Sequence, residues 1–281
     1  MKIHVAKSAG FCFGVKRALE ITLETAKKNK SVYMLGDIVH NEDVIKTIQK
    51  AGIKKVSRLT CGKNKTLIIR AHGASLKIFQ NAEKKGYNII DATCPMVKEI
   101  HKIVKKCENE GYQIIIIGEK KHHEVLGITG QLKNKALTIG CTQALPLNKI
   151  KKIKKTAVVV QSTQDLTRVT KMMDRLKKHI PQLKFFNTIC GPTRIKQAEI
   201  QKLPLENDIM LIIGSKTSAN TKRLYEISKT LNKKSYLVQS KKDLKRAWFK
   251  NITSVGITSG ASTPQNTTND VVRYIQEKAC S

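Results

Sequence analysis

The feature that most constrains the fold of this chain is an internal repeat, in which a cysteine follows a short apolar run three times. The cysteines are Cys12, Cys94 and Cys190, and the runs before them cover residues 3–5, 87–90 and 183–189. Segments with helical spacing follow the cysteines and begin near Val15, Val97 and Ile195. Short apolar runs that alternate with amphipathic segments are typical of strands that alternate with helices. The sequence therefore predicts three α/β units.

Each copy of the repeat continues with a second strand that ends at a glycine. These strands are predicted at residues 32–35, 114–117 and 209–213, and they end at Gly36, Gly118 and Gly214. Each glycine follows its cysteine by the same interval, and a polar side chain then follows each glycine at one shared, shorter interval. Those side chains are His40, His122 and Ser218, and helices are predicted after them at residues 42–51, 125–132 and 221–231. The equal spacing makes the three segments equivalent parts of one repeat.

A third strand in each copy ends in a polar loop. The loops carry His72 in the first copy, Ser162 and Thr163 in the second, and Ser262 in the third. A last helix follows each loop, at residues 76–85, 166–179 and 266–278. The third copy is one strand short, and we predict that the opening strand at residues 2–6 completes it.

Strands that alternate with helices in short units predict parallel sheets covered by helices. In such sheets the functional groups lie beyond the carboxyl ends of the strands, and the cysteines and polar residues of the repeat all lie at such ends. The predicted fold class is α/β, with three similar units of parallel sheet around a pseudo-threefold axis. The predicted units are residues 13–93, 94–189 and 190–281, with residues 1–12 completing the third.

Three cysteines at equivalent points of a repeat indicate a shared metal site, although a single cysteine after a strand is more often a small buried residue. Thiolates are soft metal ligands. Zinc commonly has four ligands with paired C-x-x-C spacing, which is absent from this sequence. Three separate cysteines better suit a 4Fe–4S cluster with one iron left open, whereas such clusters normally take four thiolates. The remaining cysteines match no repeat position and are expected to be structural: Cys61, Cys107, Cys141 and Cys280.

Around this predicted metal site the repeat places a dense set of hydrogen-bonding side chains. They are His40, His72, His122, Ser162, Thr163, Ser218, Asn220 and Ser262. Such donors suit an anionic, oxygen-rich ligand such as a phosphate or diphosphate. For Ser218 and Asn220 the alternative role is capping of the following helix, and both roles can coexist. The histidines outside the pattern are expected to be ordinary surface or core residues: His4, His101 and His179.

Glu124 follows His122 closely, and we expect it to be the only carboxylate closely tied to these loops. A buried carboxyl near a metal can have a pKa high enough to act as a proton donor. The alternative is an exposed glutamate that interacts with the dipole at the start of a helix. The sequence leaves both roles open for this residue.

Composition excludes several classes of protein. Of the 281 residues 40% are hydrophobic, which is enough to build a core and excludes a disordered basic tail protein. No apolar run approaches the roughly 20 residues that span a bilayer, and residues 1–12 lack the apolar stretch of a secretory signal. Seven cysteines cannot all be paired in disulfides. We therefore expect a soluble cytoplasmic protein.

The charge is strongly positive, with 53 Lys and Arg against 21 Asp and Glu and a formal net charge of +32. A nucleic-acid-binding protein is one rival hypothesis, because lysine-rich surfaces attract phosphate backbones without sequence preference. The lysines are spread along the chain apart from residues 149–155, and aromatic residues make up only 5%, which disfavours nucleic acid as a partner. The charge also suits docking of an acidic electron donor such as ferredoxin or flavodoxin. A non-catalytic iron–sulfur sensor is a second rival, disfavoured because a sensor needs neither a proton donor nor a diphosphate cradle.

The motifs of the repeat resemble those of one enzyme family over essentially the whole chain. They are Gly-Phe-Cys12-Phe-Gly-Val, Val-His40-Asn, Ala-His72-Gly, Asp-Ala-Thr-Cys94-Pro, His122-His-Glu124-Val, Gln-Ser162-Thr163, Ile-Cys190, Gly-Ser-Lys-Thr-Ser218-Ala-Asn220 and Gly-Ala-Ser262. In this order they resemble the family of 4-hydroxy-3-methylbut-2-enyl diphosphate reductase, the last enzyme of the non-mevalonate isoprenoid pathway. No single motif is specific, but the ordered set is.

The resemblance implies a trefoil of three α/β units around one 4Fe–4S cluster, bound by Cys12, Cys94 and Cys190, with one iron open to the substrate hydroxyl. It implies that the diphosphate is held by the matching residues His40, His72, His122, Ser218, Ala219, Asn220 and Ser262, with Thr163 beside them. Glu124 matches the proton source, with His122 nearby, and Ser162 matches the residue that hydrogen-bonds the substrate hydroxyl. Two electrons and two protons then remove that hydroxyl as water, giving isopentenyl and dimethylallyl diphosphate.

Three residues depart from the family pattern. Ser162 stands where threonine is usual, so the hydroxyl is kept but the methyl that restrains its rotamer is lost. Ala219 stands where serine is frequent, which leaves only a backbone N–H to contact phosphate there. His123 replaces a common proline before Glu124 and frees the backbone of that loop. We expect activity to persist with weaker substrate binding.

Overall fold

The computed structural model describes residues 1–39 and 41–278. The strands are β1 (Lys2–Val5), β2 (Val32–Leu35), β3 (Lys54–Val56), β4 (Thr66–Ile69), β5 (Asn88–Asp91), β6 (Gln113–Ile117), β7 (Leu137–Ile139), β8 (Lys155–Val160), β9 (Gln182–Phe185), β10 (Ile209–Ile213), β11 (Ser235–Val238) and β12 (Ser254–Ser259). The α-helices are α1 (Phe13–Lys28), α2 (Glu42–Lys50), α3 (Leu76–Lys84), α4 (Pro95–Asn109), α5 (His123–Thr129), α6 (Leu147–Ile150), α7 (Leu166–Lys177), α8 (Gly191–Ile200), α9 (Ala219–Leu231) and α10 (Gln265–Lys278).

The strands form three four-stranded sheets that share one strand order. Sheet 1 has the order β3-β2-β4-β5, sheet 2 has β7-β6-β8-β9, and sheet 3 has β11-β10-β12-β1. All neighbouring strands are parallel. The predicted fold class, α/β with three similar units of parallel sheet, is confirmed.

Strand β1 is one of the two edge strands of sheet 3 and pairs with β12. Ile3 lies opposite Val255 and Val5 lies opposite Ile257, both on β12. This is the neighbour that the sequence predicts for the opening strand. Sheets 1 and 2 take their corresponding strands, β5 and β9, from the next stretch of chain, so only sheet 3 depends on a distant segment.

The predicted strand at residues 183–189 is shorter in the structure, because β9 ends at Phe185. At Val160 of β8, a side chain and not the backbone of β9 supplies the hydrogen-bond partner. The Thr188 hydroxyl accepts a hydrogen bond from the Val160 N–H at 2.8 Å and donates one to the Val160 carbonyl at 2.5 Å. With both backbone groups of Val160 satisfied in this way, the strand cannot continue its pairing with β8.

The sequence does not predict the edge strands β3, β7 and β11. Two of them are only three residues long, and β3 reads Lys-Lys-Val, which lacks the apolar pattern of a strand. Short, charged edge strands are common in natural sheets because they discourage pairing with other chains. Their place in the fold is set by neighbours that periodicity does not reveal.

The central strands are buried on both faces. In β6, Ile115 and Ile117 pack into one apolar cluster, whereas Ile114 and Ile116 pack into another. Side chains alternate between the two faces of a strand, and helices cover both faces of a parallel sheet. This explains why the central strands read as continuous apolar runs rather than as alternating patterns.

The contacts of the described residues divide the chain into two compact units. One unit draws on residues 1–16, 39–47 and 191–281 and contains sheet 3; it is called the sheet-3 unit below. The other draws on residues 17–38 and 48–190 and contains sheets 1 and 2. The division at residues 13–93, 94–189 and 190–281 stays a prediction. Among the described residues, no helix is long and apolar enough to cross a membrane.

Candidate active site

The repeat extends to the hydrogen bonds of the three cysteines. Each cysteine donates its backbone N–H to a carbonyl in the loop after the neighbouring strand: Cys94 to Ala71 at 3.0 Å, Cys190 to Ser162 at 3.1 Å and Cys12 to Ala261 at 3.0 Å. The strand register makes Ala71, Ser162 and Ala261 equivalent loop positions. Each sheet therefore holds its cysteine at the carboxyl end of its strands by the same backbone contact.

Each cysteine also stands directly before a helix, Cys12 before α1, Cys94 before α4 and Cys190 before α8, and all three are half-buried. The first turn of a helix offers backbone N–H groups without intrahelical partners, which suits negatively charged sulfur. Thiols in this setting fit the donor chemistry of an iron–sulfur cluster.

The described residues contain no group of three or more His, Cys, Asp or Glu side chains close enough to hold a metal ion. Cys12 belongs to the sheet-3 unit, whereas Cys94 and Cys190 belong to the other unit. The assignment of the three cysteines to one shared cluster is therefore a proposal.

Glu124 is a buried ionisable residue on α5, the helix that follows β6 of sheet 2. It lies in the first turn of α5 with 2% of its surface exposed. Its carboxylate accepts two hydrogen bonds from one residue, the Ser162 N–H at 2.6 Å and the Ser162 hydroxyl at 2.7 Å. The exposed-glutamate alternative is thus wrong for this residue, and the carboxyl is paired with the loop at the end of β8.

Burial raises the pKa of Glu124 above the usual value of a glutamic acid, and the two hydrogen bonds from Ser162 offset part of that rise. Desolvation disfavours the charged form of a carboxyl, whereas donors that point at the carboxylate favour it. A carboxyl in this environment keeps its proton at a higher pH than an exposed one, as a proton donor requires.

The imidazoles of His72 and His122 lie next to each other, and His122 directly precedes α5, the helix that carries Glu124. The His122 Nδ1 atom accepts a hydrogen bond from the Glu124 N–H at 3.2 Å and caps α5, so in the neutral ring the proton is on Nε2. The ring centroids of His72 and His122 are 5.5 Å apart, and His123 lies 6.4 Å from His72. The structure thus brings these predicted residues together; His40 lies outside the described residues.

Thr163 is held by a neighbour that the sequence does not single out. Gln161 is fully buried, and its Nε2 donates to the Thr163 hydroxyl at 3.1 Å while its Oε1 accepts from the Glu119 N–H at 2.9 Å. Because the Thr163 oxygen accepts this bond, its own hydrogen remains available for another acceptor. A glutamine at the end of a strand carries no periodic signal, so sequence reasoning missed it.

In the sheet-3 unit, Ser218 caps α9, with its hydroxyl accepting from the Thr221 N–H at 3.4 Å. The predicted capping role of Ser218 is confirmed. Ala219 is the first residue of α9, and Ser262 is buried in the loop after β12. Asn220 is 5% exposed, and its Nδ2 has no hydrogen-bond partner among the described residues. A buried amide donor without a partner is costly, which suits a site that a polar ligand completes.

Lys196 is a second residue that sequence reasoning missed. It lies on α8 with 1% of its surface exposed, and its ammonium donates to the carbonyls of Ser8, of Gly10 at 3.3 Å and of Ser259 at 3.0 Å. Burial lowers the pKa of Lys196 to about 8, although Cys12 and Glu199 act to raise it. Because Glu199 lies one turn further along α8, the sequence suggests that Lys196 forms an exposed ion pair with it on the helix surface.

Residues outside the repeat mostly have ordinary roles. Cys107 is buried in the core beside sheet 2, Cys61 is exposed, and Cys141 donates to the Gln164 Oε1 atom at 3.3 Å. His4 bonds the Asn207 side chain at 2.8 Å, and His101 is buried, which lowers its pKa to about 4. Cys280 lies outside the described residues.

The repeat places a second carboxylate, Glu42, at the position equivalent to Glu124. Glu42 follows Gly36 by the interval that separates Glu124 from Gly118, and it is the first residue of α2. Glu42 is exposed, whereas Glu124 is buried. The expectation of a single carboxylate was therefore wrong, but of these two equivalent glutamates Glu124 alone is buried.

Known proteins match this chain over its whole length. A family model described as LytB protein matches residues 3–276. The 4-hydroxy-3-methylbut-2-enyl diphosphate reductase of Geotalea daltonii is 37% identical over 280 residues, which cover 99% of this chain and 98% of that protein. The enzyme of the same name from Aquifex aeolicus is 37% identical over 279 residues, covering 98% of this chain and 96% of its own.

Solved structures show the same likeness. A structure of (E)-4-hydroxy-3-methyl-but-2-enyl diphosphate reductase, called the terminal enzyme of the non-mevalonate pathway, has a TM-score of 0.74 and 36% identity, covering 99% of this chain and 100% of its own. A structure of E-1-hydroxy-2-methyl-but-2-enyl-4-diphosphate reductase from Plasmodium falciparum has a TM-score of 0.89 and 31% identity, covering 98% of this chain and 88% of its own.

Proposed function

Because the chain belongs to the LytB family, that of 4-hydroxy-3-methylbut-2-enyl diphosphate reductase, we propose that it removes the hydroxyl of 4-hydroxy-3-methylbut-2-enyl diphosphate by reduction. Two electrons and two protons are consumed. The allylic C–O bond breaks, one proton leaves with the hydroxyl as water, and the other forms a C–H bond in isopentenyl or dimethylallyl diphosphate. The observation that carries the proposal is the enclosed Glu124–Ser162 pair in a chain that matches this family from end to end.

The cofactor proposed for this reaction is one 4Fe–4S cluster held by Cys12, Cys94 and Cys190, with one iron not bound by the protein. The support is the identical backbone contact of the three cysteines, their place before three helices and their soft sulfur donors. When bound, such a cluster supplies electrons and an iron that acts as a Lewis acid toward the substrate oxygen.

Glu124 is the proposed source of the proton that leaves with the hydroxyl. An allylic hydroxide is a poor leaving group, and protonation of its oxygen eases C–O cleavage. Burial raises the pKa of Glu124 and so favours the protonated acid, and Ser162 holds both of its oxygens. In the proposed complex, the Ser162 hydroxyl turns to the substrate oxygen while its N–H continues to hold Glu124. His122 caps α5 and thereby fixes the turn that carries Glu124.

The diphosphate is proposed to bind the polar residues at the ends of the three sheets. These are His40, His72, His122, Thr163, Ser218, Ala219, Asn220 and Ser262, with Ala219 acting through its backbone. The Nδ2 of Asn220, which has no partner within the described part of the chain, supports this role, as does the start of α9 with the N–H groups of its first turn. A diphosphate supplies the acceptor oxygens that such donors require.

The proposed electron donor is a small acidic protein such as ferredoxin or flavodoxin, since the chain carries a net charge of +32. Opposite charges steer association and lose strength as salt screens them. Raising the ionic strength should therefore slow donor-driven turnover far more than turnover with a small neutral reductant. Equal slowing of both reactions would contradict electrostatic docking. We also propose a cytoplasmic location, where such donors are found.

The decisive experiment is anaerobic purification and reconstitution, with iron and sulfide quantitation and Mössbauer spectra. The variants are Cys12→Ser, Cys94→Ser and Cys190→Ser, and Cys107→Ser is the matched control because Cys107 lies in the apolar core. We expect four irons per chain, one of them altered by substrate, with loss of the cluster in the three variants and retention in the control. Wild-type protein that binds no cluster after full reconstitution would refute the proposal and favour nucleic-acid binding.

A further inference from the structure

We propose that Lys196 and Glu199 are positioning residues, which hold the loop of residues 7–11 so that Cys12 is presented for cluster binding. The inference rests on the proposed function, because it assigns Cys12 to the cluster. It concerns side chains of α8 and a loop that belong to the same compact unit. Neither residue is part of the repeat that identifies the three cysteines.

The loop before Cys12 is longer than its two counterparts. Cys94 and Cys190 stand soon after strands β5 and β9, whereas residues 6–11 separate β1 from Cys12. The short loop before Cys94 is held close to its sheet, since the Ala92 N–H donates to the Ile69 carbonyl at 2.9 Å and the Asp91 carboxylate accepts from the Thr93 N–H at 2.9 Å. A longer loop loses more conformational entropy when it becomes ordered, so the Cys12 loop requires additional contacts.

Lys196 supplies contacts at three points around this loop. Its ammonium donates to the carbonyls of Ser8 and Gly10 within the loop and to that of Ser259 at the end of β12. A buried ammonium is tolerated only when its donors are satisfied, and three carbonyls match the three N–H groups of a lysine. The same charge therefore ties the loop to the end of the sheet from which Ala261 contacts Cys12.

Glu199 binds the loop from the next turn of α8. Both of its carboxylate oxygens accept from the Ser8 N–H at 3.2 Å, and one also accepts from the Ser8 hydroxyl. The two side chains thus bond to both backbone groups of one residue. Lys196 donates to the Ser8 carbonyl, and Glu199 accepts from the Ser8 N–H. Two oppositely charged side chains on one helix face leave the loop little freedom to rotate.

Gly10 completes the arrangement. Its N–H donates to the Ser259 hydroxyl at 2.6 Å, and its φ of +103° is one that other residues rarely adopt. A Cβ atom at this residue would lie 2.5 Å from the Gln265 side chain. The positive φ and the close Gln265 side chain restrict the conformation of the loop, and the bonds from Lys196 and Glu199 hold it in that conformation.

The test uses Lys196→Met and Glu199→Gln, with Lys202→Met as the matched control because Lys202 is an exposed lysine just beyond α8. The first readout is hydrogen exchange of the metal-free protein. We expect faster exchange at the amides of Gly10 and Cys12 in Lys196→Met, by about tenfold or more, which corresponds to about 1.4 kcal/mol of lost protection. The amides of Cys94 and Cys190 should be unchanged, whereas general destabilisation would accelerate all of them.

The second readout is iron bound per chain after anaerobic reconstitution. We expect several-fold less iron in Lys196→Met, a smaller loss in Glu199→Gln and none in Lys202→Met. If Lys196→Met fails to fold, Glu199→Gln alone decides, since it removes one charge and keeps the shape of the side chain. Wild-type exchange at Gly10 and Cys12 with full iron loading would overturn the inference. Wild-type protein without iron would refute the proposed function instead, while the exchange measurement would still test the loop.

Discussion

Three residues that the repeat makes equivalent, Glu42, Glu124 and Asn220, occupy three different environments. Glu42 begins α2 and is exposed to solvent. Glu124 lies in the first turn of α5, is buried, and accepts two hydrogen bonds from Ser162. Asn220 lies in the first turn of α9 and is buried, with an amide donor that has no partner among the described residues. At this one backbone position, the side chain is therefore exposed to solvent in Glu42, hydrogen-bonded inside the protein in Glu124, and buried in Asn220 with an amide donor unbonded to any described residue.

The neighbouring loop accounts for the difference at Glu124. The residue beside Glu124 is Ser162, and its equivalents in the other sheets are Ala71 and Ala261, which have no hydroxyl. A carboxyl can be buried only where donors replace water, so only the copy with serine encloses its glutamate. The repeat therefore supplies three equivalent backbone positions, and the side chains at each one decide its environment.

The largest effect should come from Glu124→Gln, which keeps the shape of the side chain and removes the acid. We expect turnover of the reconstituted enzyme to fall by about 10²–10⁴-fold, the usual contribution of a general acid. Steady-state turnover with a small reductant measures this. Glu42→Gln is the matched control, since it makes the same change at the equivalent exposed residue and should leave turnover unaltered. Equal losses of turnover in both variants would show that a carboxyl need not be buried to act as the proton donor.

A smaller effect is expected for Ser162→Ala, which removes the hydroxyl and leaves the N–H that also holds Glu124. Loss of one hydrogen bond, about 1–1.5 kcal/mol, corresponds to about a tenfold fall in turnover. Because Ser162 lowers the pKa of Glu124 against the effect of burial, its removal should raise that pKa further. Activity that requires the protonated acid is lost as pH rises through this pKa, so the high-pH limb should move to higher pH.

The pH profile of turnover checks this shift, with Ser162→Thr as the control that keeps the hydroxyl. The profile of Ser162→Thr should overlay that of the wild type. A limb that moves to lower pH in Ser162→Ala would show that another group controls proton donation.

The smallest effect on folding is expected for Asn220→Ala. Its Nδ2 forms no hydrogen bond with any residue that the structure describes, so its loss should cost little stability, while KM for the diphosphate substrate should rise several-fold. Asn232→Ala provides the comparison, because the Nδ2 of Asn232 donates to the Asn207 carbonyl at 2.8 Å and its loss should cost about 1–3 kcal/mol. Denaturant unfolding and steady-state kinetics measure the two quantities. An Asn220→Ala variant that is the less stable of the two, with unchanged KM, would contradict a ligand-binding role.

Periodicity and spacing predicted the parts of this fold that repeat. The cysteines, the strands that end at Gly36, Gly118 and Gly214, and the pairing of β1 with β12 could all be inferred, because each repeats or completes a pattern. The strands β3 and β7 could not be predicted, since a strand of three residues is too short to show a hydrophobic periodicity. Their place depends on the neighbouring strand rather than on their own sequence.

The candidate site was predictable in its composition and less so in its contacts. Resemblance pointed to Glu124 and Ser162 as functional residues, but their direct pairing depends on how the β8 loop meets α5. The roles of Gln161 and Lys196 were not predicted, because the sequence does not distinguish a buried polar residue from an exposed one. Only the surrounding carbonyls and hydroxyls show that these side chains are satisfied inside the protein.

The pairing of β1 with β12 also sets an order of events during synthesis. Gly10 and Ser259, which are hydrogen-bonded in the folded chain, lie 249 residues apart. At roughly 5–20 residues per second, a ribosome needs on the order of 10–50 s to make the intervening chain. Sheets 1 and 2 can close from neighbouring segments in that time, whereas β1 waits for its partner. Cys12 is thus the first of the three repeated cysteines to leave the ribosome and the last to find its backbone contact, so any group that needs all three must be inserted after translation.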